Sequence, residues 1–355
     1  MKRTILSLAA FVCCSLGVFA QTDLVATLSH GNNLTTYNGI DALSEAYNAA
    51  AEGDVITLSP GTFNAVDIEK AITVRGAGMI PMASNGNVST QIIGTLTINV
   101  PSSTGDILTI EGIHALSSVS VNGDNYAPVK LLKSRFEGSV EGFGVSMNAF
   151  SCIFAQRLEA AGYRSSDFSY RNTTLNCMNC VINNATSSGY YQSGSTNVMA
   201  KIIAINCLVN LNETYIPYSV FTNCIISSDE ERSGNNPLPE TCEATNCIGI
   251  SNNWETPDLF NNVDKSTNTM IEGSGEEAYS TVFQTLKGMK SLPIVEDYML
   301  TTNAAATYLG DDGKQVGIYG GPTPFNPLPN NPQIKKFVVD SSTEGGKLNV
   351  KINVE

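Results

Sequence analysis

The chain has 355 residues, is 42% hydrophobic but only 15% charged, and contains 30 Gly and 35 Asn. That apolar content excludes wholesale disorder, and so few charges exclude long coiled coils and helical arrays. A formal net charge of −13 excludes nucleic acid as a partner, since phosphate must be neutralised by Lys and Arg.

The same acidity disfavours anionic lipid and polyuronates unless Ca²⁺ bridges the two surfaces. A neutral glycan or a cell-surface protein is the easier partner. Residues 1–20 have the form of a signal peptide: Lys2 and Arg3 lead an apolar run from Ile5 to Val18, and Val18-Phe19-Ala20 supplies a cleavage site. The run is short of the ~20 apolar residues that a membrane span needs, and no later segment reaches that length. Phe11-Val12 before Cys13 does not suit a lipoprotein signal. The expected location is therefore secreted, periplasmic or on the outer surface.

After a lead-in at 21–39, the stretch Asp41 to Tyr47 predicts a short helix with Ile40, Leu43, Tyr47 and Ala50 on one face. Strand-and-glycine phrases follow at 52–63, 72–78 and 108–113. From residue 134 onward one phrase returns: Ser134-Arg135-Phe136, Ser151-Cys152-Ile153, Asn179-Cys180-Val181, Asn206-Cys207-Leu208, Asn223-Cys224-Ile225 and Asn246-Cys247-Ile248. Intervals between phrases are uneven but average about 22 residues, the repeat length of a solenoid. Apolar residues two places before and after each Ser or Asn fit the period-2 alternation of strands. Asn recurs because a tight bend needs a residue that tolerates the left-handed region. Stacked repeats would place Asn179, Asn206, Asn223 and Asn246 in one structural column, with each amide bonding to the next.

Seven cysteines follow residue 20, and their number is odd. Cys177-Met178-Asn179-Cys180 has CxxC spacing without a second pair or a nearby His, so no metal is expected. The repeat predicts that Cys180, Cys207, Cys224 and Cys247 stack as an inner file of free thiols, with the Arg135 repeat differing. The alternative is that Arg135 and the cysteines all face outward. Cys242 is the expected exception to the free thiols.

Pro322, Pro324, Pro327, Pro329 and Pro332 predict a stiff linker at 322–332. Residues 333–355 predict a β-hairpin tail, from Ile334 to Val339 and then Leu348, Val350, Ile352 and Val354 in strict alternation.

The helix followed by Gly53-Asp54-Val55-Ile56-Thr57-Leu58-Ser59-Pro60-Gly61-Thr62-Phe63 resembles the N-terminal cap and first coil of the pectin-lyase-like superfamily. Ile72 to Gly78 and Leu108 to Ile113 are similar to its following turns. Asp297 to Leu300 and Asp312 to Gly321 are similar to the last coil of many secreted bacterial members. Over residues 40–321 the resemblance implies an all-β, right-handed parallel β-helix of roughly ten coils, with a capping helix. That fold hosts lyases, hydrolases, esterases, tailspikes and adhesins, so it does not fix an activity.

The catalytic patterns of the family enzymes are not matched: His114 lacks a Gly on either side, Asp311-Asp312 belong to a glycine turn, and Asp167 lacks the matching surroundings. Lys130, Lys133, Arg135, Arg157, Arg164 and Arg171 form the one basic concentration, interleaved with Glu137, Glu141, Glu159 and Asp167, and Lys133, Arg135, Arg164, Asp167 and Arg171 are its candidate site residues. Under a lyase reading they would supply a base opposed by Ca²⁺, whereas the alternating signs fit a solvated face. Tyr190, Tyr191, Tyr215 and Tyr218, between repeat phrases, are candidate stacking groups for sugars. The expectation is a non-catalytic protein presenting loops to a glycan or surface partner without a cofactor. The alternative is a polysaccharide lyase or glycoside hydrolase.

Overall fold

A computed structural model describes residues 24–80, 89–100, 106–193, 196–211, 216–228, 238–251, 258–273, 275–289, 292 and 298–330. It also gives the backbone of strands Ile334–Val339 and Val350–Val354, which pair antiparallel as the expected hairpin. The expected signal peptide, residues 1–20, lies outside the described residues. No described helix is long and apolar enough to cross a membrane.

The molecule is mostly β, built on two large sheets of fifteen and ten strands, and strands joined in succession pair in parallel through nearly all of both. The chain visits the sheets alternately. Thr173–Met178 in the first is followed by Val181–Ile182 in the second, then Thr196–Ile205 and Leu208–Asn210, then Val220–Thr222 and Ile225–Ser228. Each such pass is termed a circuit below. Between the two strands of a circuit stands one left-handed residue: Gly112 (φ 66°), Lys133 (48°), Ser151 (51°), Asn179 (52°), Asn206 (52°), Asn223 (55°) and Asn246 (53°). One residue suffices because a left-handed step turns the chain sharply, and Gly and Asn enter that region most readily.

The register corrects the alignment of the first phrase. Arg135 pairs with Ile153, which pairs with Val181, so Ser134 stands in the cysteine column and Lys133 is the bend residue. Arg135 therefore shares no column with the thiols. Cys152, Cys180, Cys207, Cys224 and Cys247 point inward and are fully buried, and they are free, as are Cys177 and Cys242. The backbone N–H groups of Cys152, Cys180 and Cys207 each donate to the sulfur of the next circuit at 3.4 Å. The thiols in turn donate to carbonyls, as Cys180 does to Met178 at 3.3 Å. Burial pushes the Cys207, Cys224 and Cys247 thiols well above the usual range. Cys242, the expected exception, is buried too; its Sγ donates to the Ile216 carbonyl at 2.9 Å, and burial raises it to about 11.

At the N-terminal end, the antiparallel strands Val25–His30 and Asn33–Asn38 close the first edge of the first sheet. Helix α1 (Ala42–Ala49) covers the interior there with Leu43, Ala46 and Tyr47, while Ile40 stays 43% exposed.

At the other end the last strand of the second sheet is Thr269–Met270. Residues 298–321, which resembled a last coil, form no further circuit. Together with α2 (Gly275–Val282) and α3 (Thr302–Thr307) they lie over the outer face of the second sheet. Tyr279, Phe283, Leu300, Val316 and Ile318 pack there in one apolar cluster with Ile153, Val181, Leu208, Ile225 and Ile248. The bend asparagines hold this cover. Asn179 Nδ2 donates to the carbonyls of Ile318 (2.8 Å) and Gly320 (2.9 Å), and Asn223 Nδ2 donates to Asp311 Oδ1 (2.7 Å). The asparagines do share one column, but these amides bond to the cover and not to each other. An amide-to-amide stack exists one bend away, where Asn210 Nδ2 donates to Asn183 Oδ1 at 2.9 Å.

The proline-rich stretch then runs back across the bends as a strap. Asn326 N–H donates to Ser151 Oγ (3.2 Å) and Asn330 N–H to Glu111 Oε1 (2.9 Å). Over 322–330 it is laid on the body.

Candidate functional site

The first sheet is hinged. Strand Val119–Leu132 pairs through 119–122 with Leu96–Asn99 and through 129–132 with Leu108–Glu111, and the register to Val140–Phe150 shifts between Asn122 and Ala127. At this hinge two circuits carry hairpin insertions, Tyr163–Arg164 with Ser169–Tyr170 and Gly189–Ser193 with the start of Thr196–Ile205. They account for the two longest repeat intervals. Gly144 (φ 72°) is required at the hinge, since a Cβ there would fall 2.1 Å from the Gly123 carbonyl oxygen.

The hinge and the first insertion enclose a trough of about 220 Å³ lined by Asn99, Asn122, Asp124, Phe143, Arg164, Asp167 and Arg171, among others. Asn122 Nδ2 donates to Asn99 Oδ1 at 3.0 Å, the outward amides of neighbouring strands. Arg164 Nη2 donates to Asn122 Oδ1 and, at 3.3 Å, to Glu141 Oε1. Arg171 donates to the Gly123 carbonyl at 3.0 Å and pairs with Asp124. The Arg164 and Arg171 guanidinium groups lie 4.3 and 5.7 Å from the centre of the Phe143 ring, which fixes both cations by cation–π attraction. Hydrogen bonds from the Ser169 hydroxyl and backbone hold Asp167 ionised below its ordinary range.

Beside the trough stands a platform of tyrosines. Tyr191 stacks on Tyr163 (5.5 Å between centres, 6° between planes) and on Tyr170 (5.0 Å, 26°). A hydrogen bond with Tyr170 raises the Tyr191 phenol above its ordinary value. Tyr190 meets Tyr218 edge-on at 6.4 Å. Both are exposed, and Phe168 at the tip of the first insertion is 74% exposed. Phe168 (φ 55°), Tyr218 (φ 59°) and exposed Tyr126 (φ 61°) all sit in the left-handed region. Bulky side chains seldom occur there, and such strain gathers at functional surfaces.

The structure thus brings Tyr190 to Tyr218 and joins Tyr191 to Tyr163 and Tyr170, which sequence reasoning passed over. Tyr215 lies outside the described residues. Arg164, Asp167 and Arg171 share the trough, but the basic face does not exist as one set. Arg135 is 1% exposed; its Nε donates to Glu137 Oε1 at 2.6 Å and its Nη2 to the Leu292 carbonyl at 2.8 Å, beneath the cover. His114 Nε2 shares the same carboxylate at 2.7 Å. Lys133 lies in a bend under the strap. Arg135 stands in the outward column of the second sheet with Ile153, whereas Arg164 and Arg171 flank the insertion at the hinge of the first.

Glu141 and Glu159 stand in register on adjacent strands next to the trough. Burial raises Glu159 above its ordinary range, and the Glu141 charge adds to this against the opposing pull of Arg157. Among the described residues no three His, Cys, Asp or Glu side chains converge as a metal site. What the trough and platform offer is flat aromatic faces beside fixed donors and acceptors. In comparisons with known proteins, no family model, no curated protein and no solved structure matches the chain.

Proposed function

We propose that this protein is a secreted or cell-surface right-handed parallel β-helix of the pectin-lyase-like kind that binds a neutral glycan at the hinge and performs no catalysis there. The alternation of the chain between stacked parallel strands, the ten strands of the second sheet and the capping α1 support the fold reading. The observation that carries the binding reading is the Tyr163–Tyr170–Tyr191 stack beside a trough whose charges are paired. Arg164 and Arg171 face Asp124, Glu141 and Asp167, so an anionic or cationic ligand finds no unbalanced field, whereas sugar hydroxyls can bond to guanidinium, carboxylate and amide alike. Sugar faces stack on exposed aromatics in the same way that other flat apolar surfaces do.

The test is a panel of neutral and anionic glycans presented to the full-length protein and to Tyr191→Ala. Retention of neutral glycans that the variant loses, with unchanged melting, supports the reading; no retention on a broad panel overturns it. The second reading, a glycoside hydrolase or polysaccharide lyase, is favoured by the Glu141–Glu159 pair, because a carboxyl raised by burial beside a second carboxylate suits an acid role. Release of reducing ends or of unsaturated products from any panel member, with and without Ca²⁺, would replace the binding reading with this one.

A further inference from the structure

Where the first-sheet strands run out at the bends, the strap leaves a groove of about 450 Å³, within the usual size range of small-molecule pockets. It lies at the far end of the strands from the hinge and is independent of the glycan reading. Leu132, Phe150 and Met178, outward residues of three neighbouring strands, form its floor, and Pro324 of the strap forms a wall. Phe150 is 38% exposed. The groove is held open from both sides. Phe325 is anchored in the cover beside Tyr319 (6.1 Å), and Pro329 is seated so tightly that a Cβ on Gly112 would meet it at 2.9 Å.

One cation, Lys133, lines this groove. Its one described hydrogen bond is from Nζ to the neutral amide oxygen of Asn330 at 2.7 Å, leaving two of three ammonium donors for a ligand. Neighbouring cations are bound to carboxylates: Arg75 to Glu111 and Arg135 to Glu137. Lys133 also occupies a left-handed bend that four later circuits fill with Asn, so the backbone gives no reason for a lysine there. In a chain of net charge −13, an ammonium with no carboxylate partner among the described residues, set on an apolar floor, is complementary to an anion.

We propose that this groove binds a small aromatic carboxylate, its ring between Phe150, Met178 and Pro324 and its carboxylate on the Lys133 ammonium. The ring is specified by what surrounds it. Phenylalanine and proline offer flat faces, and a thioether sulfur makes favourable contact with an aromatic edge.

The experiment is a fluorescence titration of the full-length protein with 1-naphthoate and with 1-naphthalenemethanol, the same ring without the charge. Saturable naphthoate binding is expected, about tenfold tighter than the alcohol's, the worth of a charge-assisted hydrogen bond. Lys133→Asn, which installs the residue the bend prefers, should bring naphthoate down to the alcohol's affinity with melting unchanged. Phe150→Ala should weaken both ligands alike. Absence of saturable binding, equal affinity for the two ligands, or indifference of naphthoate to Lys133→Asn would each overturn the proposal.

Discussion

The outer faces of the two sheets belong to the same circuits yet differ in kind. On the second sheet the outward column runs Ile153, Val181, Leu208, Ile225 and Ile248, all buried beneath the C-terminal cover. On the first, Lys130, Asn148 and Asn176 occupy equivalent outward places and are half-exposed. Before the cover's apolar ground begins, the second-sheet column is polar: Thr62, Gln91, His114, Arg135. Identical backbone pairing therefore carries two surfaces, one made for the chain's own last segment and the other left to solvent. The insertions with their tyrosines rise from the uncovered one, where the proposed glycan site lies.

The sharpest way to break this contrast is to place one charge on each face. Leu208→Asp buries a carboxylate with no partner under the cover and should cost at least about 4 kcal/mol in urea denaturation. Asn176→Asp on the open face should stay within about 0.5 kcal/mol. Similar values for the two would mean that the cover does not hold in solution.

Bends that grip the cover can be set against one that does not. Asn223→Ala loses the preference for φ 55° and the exchange with Asp311, in which the Asp311 N–H also donates to Asn223 Oδ1 at 3.3 Å. Its expected cost is about 2 kcal/mol. Asn246→Ala should cost about 1 kcal/mol, its side chain having no described bond to the cover. Equal losses would show that the asparagines serve the turn alone.

Cys207→Ala changes the interior between the two faces. It should cost about 1 kcal/mol of packing and leave glycan retention untouched; in the unsubstituted protein freed of residues 1–20, all seven cysteines should titrate in denaturant without reductant. Fewer titratable thiols would mean disulfides, and with them a different register.

Acid should separate the faces by sign. Under the cover, burial lowers His114 below its ordinary 6.5 against the pull of Glu137, so the stability present above that value falls as pH drops through the lower folded value. For Glu137 burial works upward, but hydrogen bonds from Arg135 and His114 outweigh it and hold the carboxyl below 4.5, adding a second loss at lower pH. Glu159 on the open side is raised above 4.5, so its contribution is full below that value and is lost as pH rises through the folded value. Melting curves against pH should flatten just below pH 6.5 for His114→Gln and steepen above pH 4.5 for Glu159→Gln. The opposite order would void the assignment of these groups.

The bends and thiols were legible because each column demands a residue type: Asn where φ is positive, and a small apolar group where neighbouring circuits nearly touch. Lys133 broke the pattern. Nothing in local preference selects lysine for a left-handed bend, so Ser134 was read as the turn and Arg135 drifted into the wrong column. Tyr163 and Tyr170 escaped because their hairpin strands are two residues long, too short for alternation to register. The uneven intervals were the available signal, since two circuits longer than their neighbours must put the excess outside the stack. The asparagine amides escaped for a different reason: the partners of Asn179 lie 139 and 141 residues further on and that of Asn223 88 residues on, and no local rule reaches that far.

That distance has a consequence for the order of events in the cell. Ile153, Val181 and Leu208 leave the ribosome long before Ile318 and Phe325 exist to cover them. Until residues 316–325 are made, a partly built stack presents a greasy flank and a row of unclaimed amides. Early compaction would then invite sticking between neighbouring copies, and a holding chaperone that delays folding until the cover appears would raise the yield of soluble protein.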